Sequence, residues 1–350
     1  MSYKPNLFGL GSGSLKTLAE AAGQPVFRAN QLFEWLYKKR VSSLDEMTNL
    51  PKAWRAALAE SHVIQHLEYT RKLQSEDGSV KYIFQLDDGS EIESVYMPMA
   101  KGVTLCLSSQ VGCAQACSFC LTAKMGFIRN LSAAEIMGQI TAIMKDQTFD
   151  APFNVVMMGM GEPLLNLAQL QVSLEVMTAG LGLSPKRITV STSGHVRNLE
   201  KLAVGPVVPR IAISLNASTD EQRNELMPVN LKWDIQTLMD TCRALPIKAR
   251  ERITFEYVLI DQFNDSDADA KRLTKWVRGI RCKVNLIPFN ETESLSYRQP
   301  PLARIQRFHE LLNRAGVVNT IRWSKGRDIG AACGQLARPT AREGARLRAH

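Results

Sequence analysis

Three thiols, Cys113, Cys117 and Cys120, fall within the eight-residue stretch CAQACSFC. Thiols so close together hold metal, but a closed tetrahedral zinc site needs a fourth ligand at a recognisable spacing, and none follows. His62 and His66 stand four residues apart without a neighbouring acid or third ligand, which fits an ordinary surface pair. Inert core cysteines would recur in an apolar periodic stretch, whereas Ala, Gln and Ser separate these three, a loop composition. A tetranuclear iron-sulfur cluster gripped at three corners, with one iron open to another ligand, suits the count best. Of the other cysteines, Cys106 alternates with Thr104 and Ser108 against Val103, Leu105 and Leu107, so its thiol is expected to face away from the apolar packing. Cys333 lies in the small-residue segment GAACG, where a sulfur can move without steric hindrance. Cys242, in an amphipathic helical stretch, and Cys282, just before a strand, are expected to be packing thiols.

The elements that must position these groups can be followed along the chain. Residues 14–62 have helical character: Phe27, Leu32, Trp35 and Leu36 recur at roughly helical spacing, and Pro51 to Ala59 reads as a further helix with Pro in its first turn. GLGSG at 9–13 follows no strand, so a flexible lead-in is expected there instead of a phosphate loop. From His66 to Pro98 the period shifts to two, with turn signals EDG at 76–78 and DDG at 87–89, which predicts β-hairpins. Apolar, β-branched runs then follow at 103–107, 154–158, 187–190, 210–215, 253–260, 284–287 and 317–323, mostly separated by helical stretches. One of these helices opens on the capping box Ser132-Ala-Ala-Glu135. Alternating strand and helix implies a parallel sheet, and about six repeats are fewer than the eight of a full barrel. Small and polar residues cluster where the runs end: GMGEP (159–163), STSG (191–194), SLNA (214–217) and PFN (288–290). In α/β architectures the carboxyl edge of the sheet builds the site, so all of these point to one rim.

The chain has 350 residues, 45% hydrophobic composition and net charge +9. Its N-terminus has no charged segment followed by an apolar run, and no stretch of about 18 apolar residues occurs, so a soluble, cytoplasmic protein without a membrane partner is expected. Seven cysteines in a reducing compartment favour metal binding or reactivity over structural disulfides. Residues 303–350 carry ten Lys or Arg against three acids. A second basic group, Arg28, Lys38, Lys39, Arg40, Lys52 and Arg55, is interleaved with Trp35, Tyr37 and Trp54. Such a surface suits a polyanion with stackable bases, and equally a merely solvated face; composition does not decide.

The C-x3-C-x2-C spacing with Phe119 before the last cysteine resembles the signature of radical S-adenosylmethionine (SAM) enzymes. LCLSSQVGC (105–113), GFIRNL (126–131), MGMGEPLLN (158–166), VSTSG (190–194), FEY (255–257), NLIPFN (285–290) and DIGAACGQL (328–336) narrow the resemblance to the RlmN/Cfr family of radical SAM RNA methyltransferases. FRANQL (27–32) and MTNLP (47–51) extend it over nearly the whole chain. The resemblance implies a partial (β/α)6 barrel over 99–336, a helical RNA-binding accessory domain at 1–65, a hairpin connector at 66–98 and a basic tail at 337–350. It also implies a 4Fe-4S cluster on Cys113, Cys117 and Cys120, whose open iron is chelated by SAM.

In that family an electron-poor adenine carbon is methylated, C2 in one branch and C8 in the other. The resemblance then assigns Cys333 as the thiol that takes a methyl from one SAM before a second SAM is cleaved, so two equivalents are used per turnover. Cys106 would release the product by forming a disulfide with Cys333. Glu93 matches a family proton acceptor, although a solvated surface acid beside Glu91 explains it nearly as well. Gly161 and Glu162 match the positions that approach the SAM amino group, while Ser191, Ser214, Leu215, Asn216 and Asn290 match contacts at the other strand ends. Expected partners are large-subunit rRNA, with tRNA near the anticodon as a second substrate, and an electron donor of flavodoxin or ferredoxin type, acting on a monomer. Asn216 stands where family members often have His, and WSKGRD (323–328) departs from the commoner pattern. Pro163 and the pair Pro288-Phe289 favour the C2 branch; C8 methylation and a non-catalytic iron-sulfur RNA-binding protein are the alternatives.

Overall fold

The computed structural model describes residues 4–149, 153–248 and 250–336. The chain opens with α1 (Ser12–Ala21), α2 (Phe27–Glu34), prolonged by a wide turn at Trp35–Lys39, and α3 (Lys52–Ser61). Leu15, Leu32, Leu36, Trp54 and Leu58 form their buried stripe. Phe27 does not join it and is 51% exposed. Five residues of helix place it about 140° around the axis from Leu32. The lead-in at 9–13 is not loose. Leu7 and Phe8 are buried, the Gly9 N–H donates to the Tyr37 hydroxyl at 2.8 Å, and that hydroxyl donates to the Leu10 carbonyl at 2.8 Å. Tyr37 and Trp54 therefore serve the interior, and of the three interleaved aromatics only Trp35 is partly open, with Lys39 Nζ 3.4 Å from its ring centroid.

The predicted hairpin turns lie between β1 (Tyr69–Gln74), β2 (Val80–Gln85) and β3 (Glu91–Met99), an antiparallel meander that β4 (Gly102–Cys106) continues. After β4 the chain makes a small ribbon of β5 (Gln110–Gly112) and β6 (Phe127–Asn130), with α4 (Leu121–Lys124) between them. Alternation then sets in: α5 (Ala133–Asp146), β7 (Asn154–Met157), α6 (Leu167–Glu175), β8 (Ile188–Thr192), α7 (Val196–Ala203) and β9 (Arg210–Ser214). It continues through α8 (Asp220–Leu226), α9 (Ile235–Ala244), β10 (Ile253–Leu259), α10 (Asp267–Val277), β11 (Cys282–Pro288), α11 (Leu302–Arg314) and β12 (Asn319–Ile321).

One sheet runs β1-β2-β3-β4-β7-β8-β9-β10-β11-β12, parallel from β4 onward. Its two ends do not pair among the described residues, so it is an open, partial barrel, as the alternation implied. The curvature is visible in one cavity that touches the carboxyl ends of β7, β8, β9, β10 and β11. A flat sheet would spread those ends over about 19 Å.

Local chemistry supports each element. Ser132 and Glu135 form the predicted capping box, with Glu135 N–H donating to Ser132 Oγ (3.2 Å) and Ser132 N–H to Glu135 Oε2 (2.8 Å). At the far end of α5, Asp146 stands against the helix dipole, and Lys72, Tyr69, Tyr82 and Gln147 all donate to its carboxylate. Burial opposes ionisation there, yet these donors together hold the acid well below the usual carboxylate range. They bind the helix end to the meander.

Candidate active site

The cysteine loop is pinched at its neck. Cys113 N–H donates to the Gly126 carbonyl at 2.9 Å, and a Cβ on Gly112 (φ +72°) would sit 1.8 Å from that carbonyl oxygen, so only glycine closes the ribbon here. Further along, Ala116 adopts a left-handed φ of 51°, Ser118 N–H donates to Leu226 O (3.0 Å), and Ser118 Oγ meets the Tyr297 hydroxyl (2.8 Å). This folding turns Cys113, Cys117 and Cys120 to the same cavity. Burial pushes the Cys113 thiol up to about 12, and Cys117 rises well above its ordinary value through burial and the neighbouring Cys120 and Cys113 charges. A group that bonds directly to the sulfurs would relieve that penalty. Among the described residues no three His, Cys, Asp or Glu side chains converge on one ion. Tetrahedral zinc would need thiolates roughly 3.8 Å apart. A cluster offers each thiolate its own iron and tolerates wider spacing, so the donor set fits a three-thiolate cluster better than zinc.

The remaining rim residues face the same cavity. Gly161 (φ +99°) passes so close to Gln110 that a Cβ would lie 2.5 Å from the Gln110 Cβ. Glu162 is buried, with Oε2 accepting from Ser193 N–H (2.7 Å) and Oε1 from Leu164 N–H (3.0 Å). Burial raises its pKa, and these N–H donors oppose the rise. Asn216 occupies the left-handed region (φ 56°), which Asn tolerates, and its Oδ1 accepts from Val258 N–H at 3.0 Å, tying the ends of β9 and β10 together. Ser191 and Ser214 line the cavity half-buried, and Asn290 donates to the Cys333 carbonyl at 3.2 Å. Leu215 differs: it is fully buried and lines no part of this cavity.

A second cavity shares Met158, Arg322, Cys333 and Leu336 with the first and contains Cys106. The two thiols remote in sequence therefore look into one space. Cys333 is exposed, whereas Cys106 is buried. Its side chain faces Thr104 and Met97 in this cavity as the strand alternation requires, but burial, reinforced by the Cys333 charge, pushes its thiol up to about 12. Glu93 lines neither cavity. It is 2% exposed and its carboxylate lies 3.3 Å from Lys81 Nζ, which removes the surface-acid alternative. Cys242 is a buried helical residue and Cys282 opens β11, both away from the rim.

Four cavity or support residues are not singled out by sequence reasoning, although Ser193 and Glu256 lie within its STSG and FEY segments. Ser193 and Glu256 are buried and line the cavity, where Ser193 Oγ and Glu256 Oε2 lack protein partners. Arg322 lies where the cavities meet, 3.8 Å from Glu256 Oε1 and 3.7 Å from Met158 Sδ. Arg223, inside the polar-looking helix DEQRNEL, is completely buried and donates to the carbonyls of Ser193, Ser214 and Leu215, bracing two strand ends. Nothing in the local pattern marks it. Its nearer partners, the Leu215 carbonyl and Asn230 Oδ1, lie seven or eight residues away, but the Ser193 carbonyl it also holds is thirty residues off.

An open parallel barrel with a three-cysteine loop at its carboxyl rim defines a protein of the radical SAM class, and residues 107–273 match the Radical SAM superfamily. Residues 5–64 match the ribosomal RNA large subunit methyltransferase N-terminal domain. The "Dual-specificity RNA methyltransferase RlmN" of Desulfosudis oleivorans is 47% identical over 89% of this chain and 85% of its own length. That of Campylobacter concisus is 45% identical over 95% and 90%, respectively. A solved radical SAM methyltransferase from Sphaerobacter thermophilus superposes with TM-score 0.86 at 41% identity, covering 95% of this chain and 99% of that one. The chain belongs to the RlmN family of radical SAM RNA methyltransferases. Membership implies a 4Fe-4S cluster, SAM and an RNA substrate. No helix among the described residues is long and apolar enough to cross a membrane.

Proposed function

We propose that this protein methylates C2 of adenosine in large-subunit rRNA, and in tRNA beside the anticodon, through a methyl group carried on Cys333. The observation that carries the proposal is the joining of two cavities at Cys333, one lined by the cluster cysteines and the other by Cys106. The relatives' name, a dual-specificity RNA methyltransferase, supports two RNA substrates. Pro163 and Pro288-Phe289 support the C2 branch.

Cys113, Cys117 and Cys120 would hold the cluster, and Gly161, Glu162, Ser191, Ser214, Asn216 and Asn290 would surround SAM. Bound there, cluster and SAM would supply electron transfer and hydrogen abstraction, which an electron-poor ring carbon needs because it does not attack a sulfonium itself. The protein's own groups do the rest. Glu162 complements an ammonium group, and the Gly161 backbone lets it approach. Exposed Cys333 accepts the methyl and presents it towards the second cavity, where the base would lie. Cys106, kept protonated and sheltered until needed, frees the product by pairing with Cys333. Glu93 would take the ring proton only after its contact with Lys81 opens. The N-terminal region, residues 1–65, whose helices leave Lys38, Lys39, Arg40 and Lys52 exposed, would dock the RNA. The basic tail at 337–350 lies outside the described residues. Two SAM molecules per turnover and a flavodoxin or ferredoxin donor complete the scheme, with the protein acting as a monomer in the cytoplasm.

Nuclease digestion and mass spectrometry of RNA treated with the reduced, reconstituted enzyme test this. The expected product is 2-methyladenosine. 8-Methyladenosine would move the assignment to the other branch, and absence of both products with no 5′-deoxyadenosine would end it.

A further inference from the structure

Cys333 sits on a loop, residues 322–336, whose two halves are fastened to different parts of the molecule. The downstream half belongs to the rim: Leu121 N–H donates to Gly334 O (2.8 Å), and Thr122 Oγ1 donates to Leu336 O. Asn290 holds the middle, donating to Cys333 O (3.2 Å) and Ser324 Oγ (2.9 Å). The upstream half is fastened to the turn between β1 and β2, which contributes nothing to either cavity.

The fastening is reciprocal. From the hairpin, Asp77 Oδ2 accepts the Gly326 N–H at 2.9 Å, and the Asp77 carbonyl accepts from Lys325 Nζ at 3.4 Å. From the loop, Asp328 Oδ1 accepts from Ser75 Oγ (2.6 Å) and Oδ2 from the Glu76 N–H (3.2 Å). Lys81 on β2 adds a third tie, donating to the Gly330 carbonyl at 3.3 Å while its Nζ contacts the Glu93 carboxylate. Burial works against ionisation of both aspartates, yet hydrogen bonds outweigh it: the Ser79 hydroxyl and N–H together with the Gly326 N–H hold Asp77 at about 2, and the Ser75 hydroxyl and Glu76 N–H hold Asp328 below its ordinary value. Both acids are thus charged at neutral pH, and ionised acceptors make the stronger hydrogen bonds.

We propose that the β1–β2 turn is a clasp that positions Cys333, with Asp77, Asp328 and Lys81 setting where its loop leaves the hairpin and hence whether the thiol reaches both cavities. The proposal rests on Cys333 being the methyl-carrying thiol. The loop turns at Gly326 (φ +64°) and Gly330 (φ +60°), both within the clasped stretch, and Cys333 follows three residues later. Without the clasp the thiol would be held by the Asn290 and rim contacts and by the packing of Ala331, Ala332 and Leu336 alone, and a displacement of about 1 Å at a reacting group costs on the order of a hundredfold in rate. Lys81 joins this device to Glu93, so movement of the loop and release of that carboxylate are mechanically linked. Asp77, Asp328 and Lys81 are positioning residues, not catalytic ones.

The test uses the full-length, iron-reconstituted protein with Asp77→Ala/Asp328→Ala, Lys81→Met and the conservative Asp328→Asn, which keeps an acceptor oxygen. Peptide mass spectrometry follows iodoacetamide labelling of Cys333, and product analysis gives methylated adenosine per 5′-deoxyadenosine. In the double variant, labelling of Cys333 is expected to quicken at least fivefold and the product ratio to fall at least tenfold at unchanged iron content. Asp328→Asn should retain most of both. Unchanged labelling and an unchanged ratio in the double variant would overturn the clasp. Should that variant lose iron, Lys81→Met decides by the labelling rate of Cys333, because it removes one tie and keeps the carboxylates of Asp77 and Asp328, whereas its product ratio also reflects the altered surroundings of Glu93. If the unaltered protein makes no methylated adenosine, the proposed reaction fails, while the labelling rates still decide the clasp.

Discussion

The loop from Cys113 to Gly126 is closed at its neck by its own β5–β6 ribbon and braced from outside through Ser118, whereas the loop from Arg322 to Leu336 has no such neck and is held mainly by distant elements. The first needs a neck, which Gly112 provides within the same short stretch. The second needs a hairpin, a strand end and the cluster loop, each far away in sequence. If the first loop grips a cluster as proposed, the glycine neck helps to keep its geometry through motion elsewhere. If the second carries a thiol that serves two partners in turn, attachments that can be released one at a time suit it.

Breaking the local loop should have the largest effect. Cys117→Ala is expected to abolish cluster assembly, and iron analysis of the anaerobically reconstituted protein checks it; full iron content would refute the ligand assignment. Cys333→Ala should instead keep iron and bind SAM while forming no methylated RNA, measured by equilibrium binding and product analysis. Cys106→Ala belongs to the same contrast and should accumulate a covalent enzyme–RNA species on denaturing gels. A smaller effect is expected at the neck, where Gly112→Ala drives a Cβ into the Gly126 carbonyl and the ribbon must open, at a cost of at least about 1–3 kcal/mol read from thermal unfolding. It should also weaken iron retention.

The contrast between the two remote thiols can be sharpened by pH. Cys333 is exposed, and Cys106 has a thiol pushed up to about 12. At pH 8 iodoacetamide should therefore label Cys106 at least about a hundredfold more slowly than Cys333, because only the thiolate reacts. The Cys106 rate should climb with pH as its thiolate fraction grows, and equal rates at pH 8 would contradict the burial described here. The smallest change is expected from Ser132→Ala, which removes a cap worth about 1 kcal/mol and leaves iron content untouched.

Much of the framework was legible in the chain. Turn signals at 76–78 and 87–89, the capping box at Ser132 and the β-branched runs all sit where hairpins, helix and strands form, because they act through residues only a few positions apart. Phe27 and the 9–13 segment were less legible, since their environment depends on what packs against them. Buried Arg223 has no hydrophobic or periodic signature: its partners are backbone carbonyls at two strand ends and the Asn230 side chain. Glu256 and Arg322 became site residues only when β10 and the segment after β12 met at the rim.

The sequence by itself determined the three-thiol loop, the strand-helix alternation and the small residues at the strand ends, because spacing, glycine conformation and hydrophobic period are local properties. Only the tertiary structure decided that Cys106 and Cys333 share a cavity, that Glu93 is buried against Lys81 and that a hairpin holds the loop of the exposed thiol. Those juxtapositions depend on strand order and barrel curvature. These arise when the whole sheet buries its apolar face at once, so no short stretch of residues contains them.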